Sequence, residues 1–68
     1  MTIRDINKLD PAVTYYFYYE TEDGTYEIGR GHYDGEGAIQ CEDRTFYIGM
    51  TINSYEYLPR NGVVRVWF

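Results

Sequence analysis

Sixty-eight residues with 11 acidic and 6 basic side chains, a net charge of −5, leave room for one domain with a thin core, since so short a chain cannot bury two interiors. One cysteine and one histidine exclude an internal disulfide and the common Cys/His zinc sites by counting. The acidic balance argues against a phosphate-neutralising protein, which needs clustered Lys and Arg, while nine tyrosines, three phenylalanines and a tryptophan are far more than a disordered tail carries.

Residues 1–12 are expected to hold a short N-terminal helix of one or two turns. Thr2 and Asp5 make a capping-box pair, Ile3, Ile6 and Leu9 fall on one side, and Asp10-Pro11 stops it. From residue 13 onward, short aromatic and β-branched runs alternate with turn dipeptides. The predicted strands are Val13 to Thr21, Thr25 to His32, Gly37 to Cys41, Thr45 to Asn53, Ser54 to Leu58 and Val63 to Phe68. The turns are Asp23-Gly24, Asp34-Gly35, Glu42 to Arg44 and Asn61-Gly62, three of them pairs that supply the positive φ of two-residue hairpins. The expected fold is all-β and mainly antiparallel, a five- to six-stranded meander over residues 13–68. It forms either a strongly curved sheet or a small SH3-like barrel, and residues 1–68 are one domain.

The segment EDGTYEIG at 22–29 returns as EDRTFYIG at 42–49, a turn feeding a strand that ends at glycine. With Gly35 and Gly37 upstream, the second copy is similar to the hairpin repeat called MORN. The likeness covers under half the chain, has a shorter period and carries Arg44 at the turn glycine, so it implies a meander of hairpins and nothing more.

Taking the two-residue turns at face value aligns Tyr19, Ile28, Cys41 and Phe46 in one row of a core face, with Phe17, Ile39 and Ile48 in the next. Cys41 then reads as a small buried hydrophobe, and His32 lies two pleats away, too far for a Cys-His dyad. Arg30 also falls on the core face, a conflict that a bulge near Gly29 to Gly31 would relieve. The other face stacks Tyr18, Gly29, Gln40 and Tyr47, then Tyr16, Gly31, Ala38 and Gly49, with Glu20, Glu27, Glu42 and Thr45 beyond. This is a shallow aromatic trough over small residues with an acidic row at one end, suited to a basic side chain. Aromatic protection of the glycines explains the same rows without a ligand. The last hairpin is expected to bury Tyr55, Tyr57, Val66 and Phe68, and to leave Leu58 and Trp67 outside beside Arg60 and Arg65.

Eight acids between Tyr18 and Asp43 (Glu20, Glu22, Asp23, Glu27, Asp34, Glu36, Glu42, Asp43) face only Arg30, a field that attracts a basic partner and repels nucleic acid. No catalytic set, metal ligand set or cofactor loop is apparent. No apolar run approaches a membrane span and no signal peptide opens the chain, so a soluble, cytoplasmic protein is expected.

These features lead to the expectation of a non-catalytic binder that occludes a basic surface of a larger host protein. A phage- or mobile-element-encoded inhibitor of a host defence enzyme, anti-CRISPR-like and able to mimic nucleic acid, fits that description. Its expected contact residues are Tyr16, Tyr18, Glu20, Glu27, Glu42, Tyr47 and Trp67. The alternatives are a homo-oligomerising structural subunit and a single-stranded nucleic-acid binder stacking bases on Tyr16, Tyr18, Tyr47 and Trp67, the latter disfavoured by charge. A homodimer is expected through the first or the C-terminal strand, the most apolar segments, if they form open edges.

Overall fold

The computed structural model describes residues 1–7 and 9–68, so Lys8 within the expected N-terminal helix lies outside the described residues. The remainder is one six-stranded sheet: β1 (Thr14–Thr21), β2 (Gly24–Tyr33), β3 (Ala38–Cys41), β4 (Thr45–Tyr47), β5 (Ser54–Leu58) and β6 (Val63–Trp67). Their order in space is β4-β3-β2-β1-β6-β5. The first four strands form the expected meander. The last hairpin then lies on the far side of β1, and β6 runs parallel to it, Thr14 beside Val63 and Phe17 beside Val66.

Two expectations are corrected by this topology. The sheet is mixed rather than purely antiparallel, and it is open rather than a barrel, ending in β4 and β5. The first and last strands are interior ones. Each is apolar and poor in charge because it is paired on both sides, and the edges are the three-residue β4 and the Glu56-bearing β5, a short strand and a charged one that suit exposure.

The sheet is nonetheless strongly curled. Strands β4 and β1 are three positions apart, roughly 14 Å in a flat sheet, yet the Phe46 and Phe17 rings stack with centroids 4.0 Å apart. Phe68 closes against both, at 5.3 and 5.9 Å. Around these rings the concave face buries Tyr15, Ile39, Val64 and Val66 completely.

Two irregular segments roof that concavity. The N-terminal stretch forms a single 3-10 turn, Ile3–Asp5, and then goes extended at Ile6. The capping pair is present, with the Thr2 N–H donating to Asp5 Oδ2 at 2.8 Å, but the longer helix is not. Its amides are taken elsewhere: Ile3 and Arg4 donate to the Met50 and Ile48 carbonyls, and the Ile52 N–H donates to the Met1 carbonyl. Residues 48–53, expected as the rest of the fourth strand, are instead the crossover between the two edges, tied to the N-terminal segment at Thr2 and Thr51. Ile3, Ile6, Val13 and Ile52 are thereby buried.

The Asp23-Gly24 hairpin turns one residue earlier than expected, with Thr21 opposite Gly24. Pairing then slips between Phe17 and Tyr18, whose partners are Gly29 and Glu27. Ile28 is the extra residue of a β-bulge. This is the bulge that the Arg30 conflict called for, one residue earlier in the chain. It exchanges the faces of everything that follows in β2, so Arg30 points outward, and Gly29 and Gly31 belong to the core face.

Those two glycines are demanded by packing. A Cβ at Gly29 would lie 2.8 Å from the Phe46 ring, and one at Gly31 would run into the Gln40 carbonyl. The expected core set fares well otherwise: Phe17, Ile39, Phe46 and Val66 are buried, and Ile28, Cys41, Ile48, Tyr55 and Phe68 pack against them. Tyr19 and Tyr57 do not belong to it, being 53% and 38% exposed.

Candidate binding face

The convex face carries the outward residues of four adjacent strands, and the registers place them in three cross-strand rows. Tyr16 of β1 lies between Arg30 of β2 and Arg65 of β6, with Glu56 of β5 beyond. One pleat further along β1, Tyr18 lies between Glu27 and Trp67. One pleat back, Thr14 lies between His32 and Val63, with Leu58 beyond.

The side chains interlock along and across these rows. The Arg30 guanidinium stacks 4.7 Å above the Tyr16 ring and meets the Glu27 carboxylate at 3.2 Å. That carboxylate holds Arg30 firmly protonated, raising its pKa. Arg65 lies 5.6 Å from the Tyr18 centroid and 3.8 Å from Glu56. Tyr18 and Trp67 stack at 5.4 Å and 24°. Tyr16, Tyr18, Arg30, Arg65, Leu58 and Val63 line one shallow groove.

Five of the seven expected contact residues lie on the convex face of β1, β2 and β6. Tyr16, Tyr18, Glu27 and Trp67 are clustered, and Glu20 stands one pleat beyond Tyr18, opposite Thr25. Glu42 lies in the β3–β4 turn, near Glu27 and Asp43. Tyr47 pairs with Ala38 on the outermost strand, toward the opposite end of the sheet from Tyr18, and is separated from the cluster. The trough floor is also corrected: Gly29 and Gly31 are on the other face, and Arg30 fills the space expected for a partner's basic side chain. Aromatic cover of glycine does occur, but on the concave side and by Phe46.

Arg30, Arg65 and Leu58 were missing from the expected contact set. The available signal was Arg30 itself, since a cation on an apparent core face means that the alternation has slipped.

The acids also separate. The β1–β2 and β3–β4 turns lie at the same end of the sheet, which gathers Glu20, Glu22, Asp23, Glu27, Glu42 and Asp43 against Arg30 and Arg44. Asp34 and Glu36 go to the other end. There Asp34 is structural: its carboxylate accepts from the Glu36 and Ala38 amides at 2.6 and 3.2 Å and from Gln40 Nε2 at 3.2 Å. Those bonds, the Glu36 amide first, lower its pKa.

Cys41 and His32 stand on adjacent strands but on opposite faces. Cys41 faces the core opposite Gly31, where burial raises its thiol pKa, and His32 Nδ1 lies 3.0 Å from the Val13 carbonyl. Among the described residues no three His, Cys, Asp or Glu side chains are grouped to hold a metal ion, and no helix is long and apolar enough to cross a membrane. No protein family model, curated protein or solved structure matches this chain.

Proposed function

We propose that this chain is a small non-catalytic binding protein that occludes a basic surface of a larger protein. Its acidic end steers the encounter, and the Tyr18–Trp67 pair beside it supplies the contact. The observation that carries this reading is the adjacency of the two features: six carboxylates at one end of the sheet border a stacked, partly exposed Tyr-Trp pair of the kind that dominates binding hot spots. Long-range attraction and short-range anchoring are then offered by one continuous surface. An inhibitor made by a phage or mobile element against a host defence enzyme is the setting in which a domain of this size would act by occlusion alone.

The test is capture from the native host by the wild-type chain, by the charge-reversed variant E20K/E22K/D23K, and by W67A. One protein retained by wild type, lost with rising salt and released by both variants supports the reading. A protein captured equally well by all three overturns it. A second reading, self-association, is favoured by the outer edge of β5, whose backbone has no neighbouring strand in the sheet. Sedimentation showing a dimer that dissociates when Tyr57 is replaced by proline would support it, with the interface at β5 rather than at the two strands expected from sequence.

A further inference from the structure

We propose that the Arg30–Tyr16–Arg65 row is a carboxylate-binding site, which seats an acidic side chain of a protein partner with an aliphatic neighbour resting on Leu58 and Val63. This goes beyond the occlusion of a basic surface, because the sign of the charge is opposite and, of the acidic end, only Glu27 borders the site.

Three features converge. Two arginines flank Tyr16 in a single cross-strand row, the Arg30 guanidinium over the Tyr16 ring and the Arg65 guanidinium over the neighbouring Tyr18 ring, and both share one groove with Leu58, Val63 and the Glu27 carboxylate. Arg30 is held in place by the Tyr16 ring beneath it, which limits the conformations it must give up on binding and favours the forked geometry that matches a carboxylate. Finally, the ion pairs that now engage both cations are replaceable. Arg30–Glu27 has side chains 59% and 40% exposed, and Arg65–Glu56 has 46% and 53%. Exposed pairs of this kind contribute little, so a partner's carboxylate exchanges with them at small cost.

The groove's apolar side and the charge around it decide between anions. Glu56 stands at one end of the row and Glu27 beside Arg30 in the next one, and the chain carries a net charge of −5. A polyphosphate strand would have to run past both, whereas a single carboxylate on an aliphatic segment needs only the two guanidiniums and the Leu58–Val63 surface.

The experiment titrates the isotope-labelled full chain with acetyl-Leu-Glu-amide, with its neutral isostere acetyl-Leu-Gln-amide, and with short oligothymidylate, reading arginine side-chain and backbone resonances. The expected result is a saturable shift at Arg30 Nε, Arg65 Nε and the Tyr16 amide with the glutamate peptide, and binding of the glutamine peptide about tenfold weaker. R30Q and R65Q should each weaken the glutamate peptide several-fold, with unchanged Ile39 and Phe46 amides, remote from both substitutions, showing that the core is intact. Equal response to the two peptides would overturn the proposal. So would shifts at Arg44 and Arg60 as large as those in the row, which mean a general counter-ion effect. Tighter binding of the oligothymidylate would also overturn it and assign the face to nucleic acid.

Discussion

The two faces of the sheet are made from alternate residues of the same strands, and both are rich in aromatic rings, yet they solve different problems. On the concave face Phe17, Phe46 and Phe68 stack on one another beneath a roof of isoleucines, so the rings do their work by excluding water. On the convex face the rings are tyrosine and tryptophan, and each is bracketed by a guanidinium or another ring. There the stacked groups stay partly wet and keep hydrogen-bonding capacity for something else. Ring chemistry tracks the division. Phenylalanine has no polar atom to leave unsatisfied in the core, while Tyr15, the tyrosine buried completely there, exchanges its hydroxyl with the Asp10 backbone, accepting from its N–H at 2.9 Å.

The sharpest way to break this contrast is to remove the central ring of the concave face. Phe17→Ala should cost about 3–5 kcal/mol, about as much as a core of this size supplies in total. We expect loss of a cooperative thermal transition by circular dichroism. A variant melting within a few degrees of wild type would show that the roofed face is not what holds the chain together.

Next in size are the two core-facing glycines. Gly31→Ala presses a methyl group onto a backbone carbonyl in a paired strand, and should cost roughly 2–3 kcal/mol. Gly29→Ala meets the edge of the Phe46 ring, which can tilt, and should cost about 1 kcal/mol. Chemical denaturation of the two variants tests the order. The reverse order would place the tighter constraint at the ring stack.

On the convex face, truncation should leave the fold standing. The Arg65–Glu56 pair, measured by a double-mutant cycle with alanine at each position, should show a coupling below about 1 kcal/mol. Trp67→Ala, which removes the stack on Tyr18, should cost roughly 1 kcal/mol, well below Phe17→Ala. Equal costs on the two faces would erase the distinction.

The smallest effects are those of pH, and the two limbs come from different places. Asp34 titrates below its ordinary value because it accepts the Glu36 and Ala38 amides. Its contribution is therefore present above pH 3.8, its unfolded value, and is lost as pH falls through the lower folded one. Asp34→Asn should flatten the acid limb of thermal stability against pH. Tyr15 has its pKa raised above 10.0, first by burial. Stability must then fall as pH rises past 10.0 toward the folded value, and Tyr15→Phe should flatten the alkaline limb. If both substitutions leave both limbs unchanged, neither group is in the environment described.

Local pattern was enough to locate the strands and most of the core. The turn pairs and β-branched runs marked all six strands, and alternation assigned Phe17, Ile39, Phe46 and Val66 to the interior, because both signals are carried by residues adjacent in the chain. Face assignment in β2 was not readable to the same degree. One extra residue, Ile28, shifts the phase of all that follows, so Gly29, Arg30 and Gly31 changed places, and with them the floor of the expected trough. Only the misplaced arginine hinted at it.

Composition and alternation by themselves determined that this chain folds as a small β-sheet protein with an acidic surface and outward-facing aromatic residues such as Tyr16, Tyr18 and Trp67. Tertiary structure alone decided that β6 inserts in parallel beside β1, that the apparent edge strands are central, and that Arg30 and Arg65 flank Tyr16. The physical reason is range: a hairpin's register is set by its own turn, whereas the β1–β6 pairing joins segments about fifty residues apart and is selected only by burying the Phe17, Val64 and Val66 face under the N-terminal segment. No repeating pattern along the chain encodes that choice.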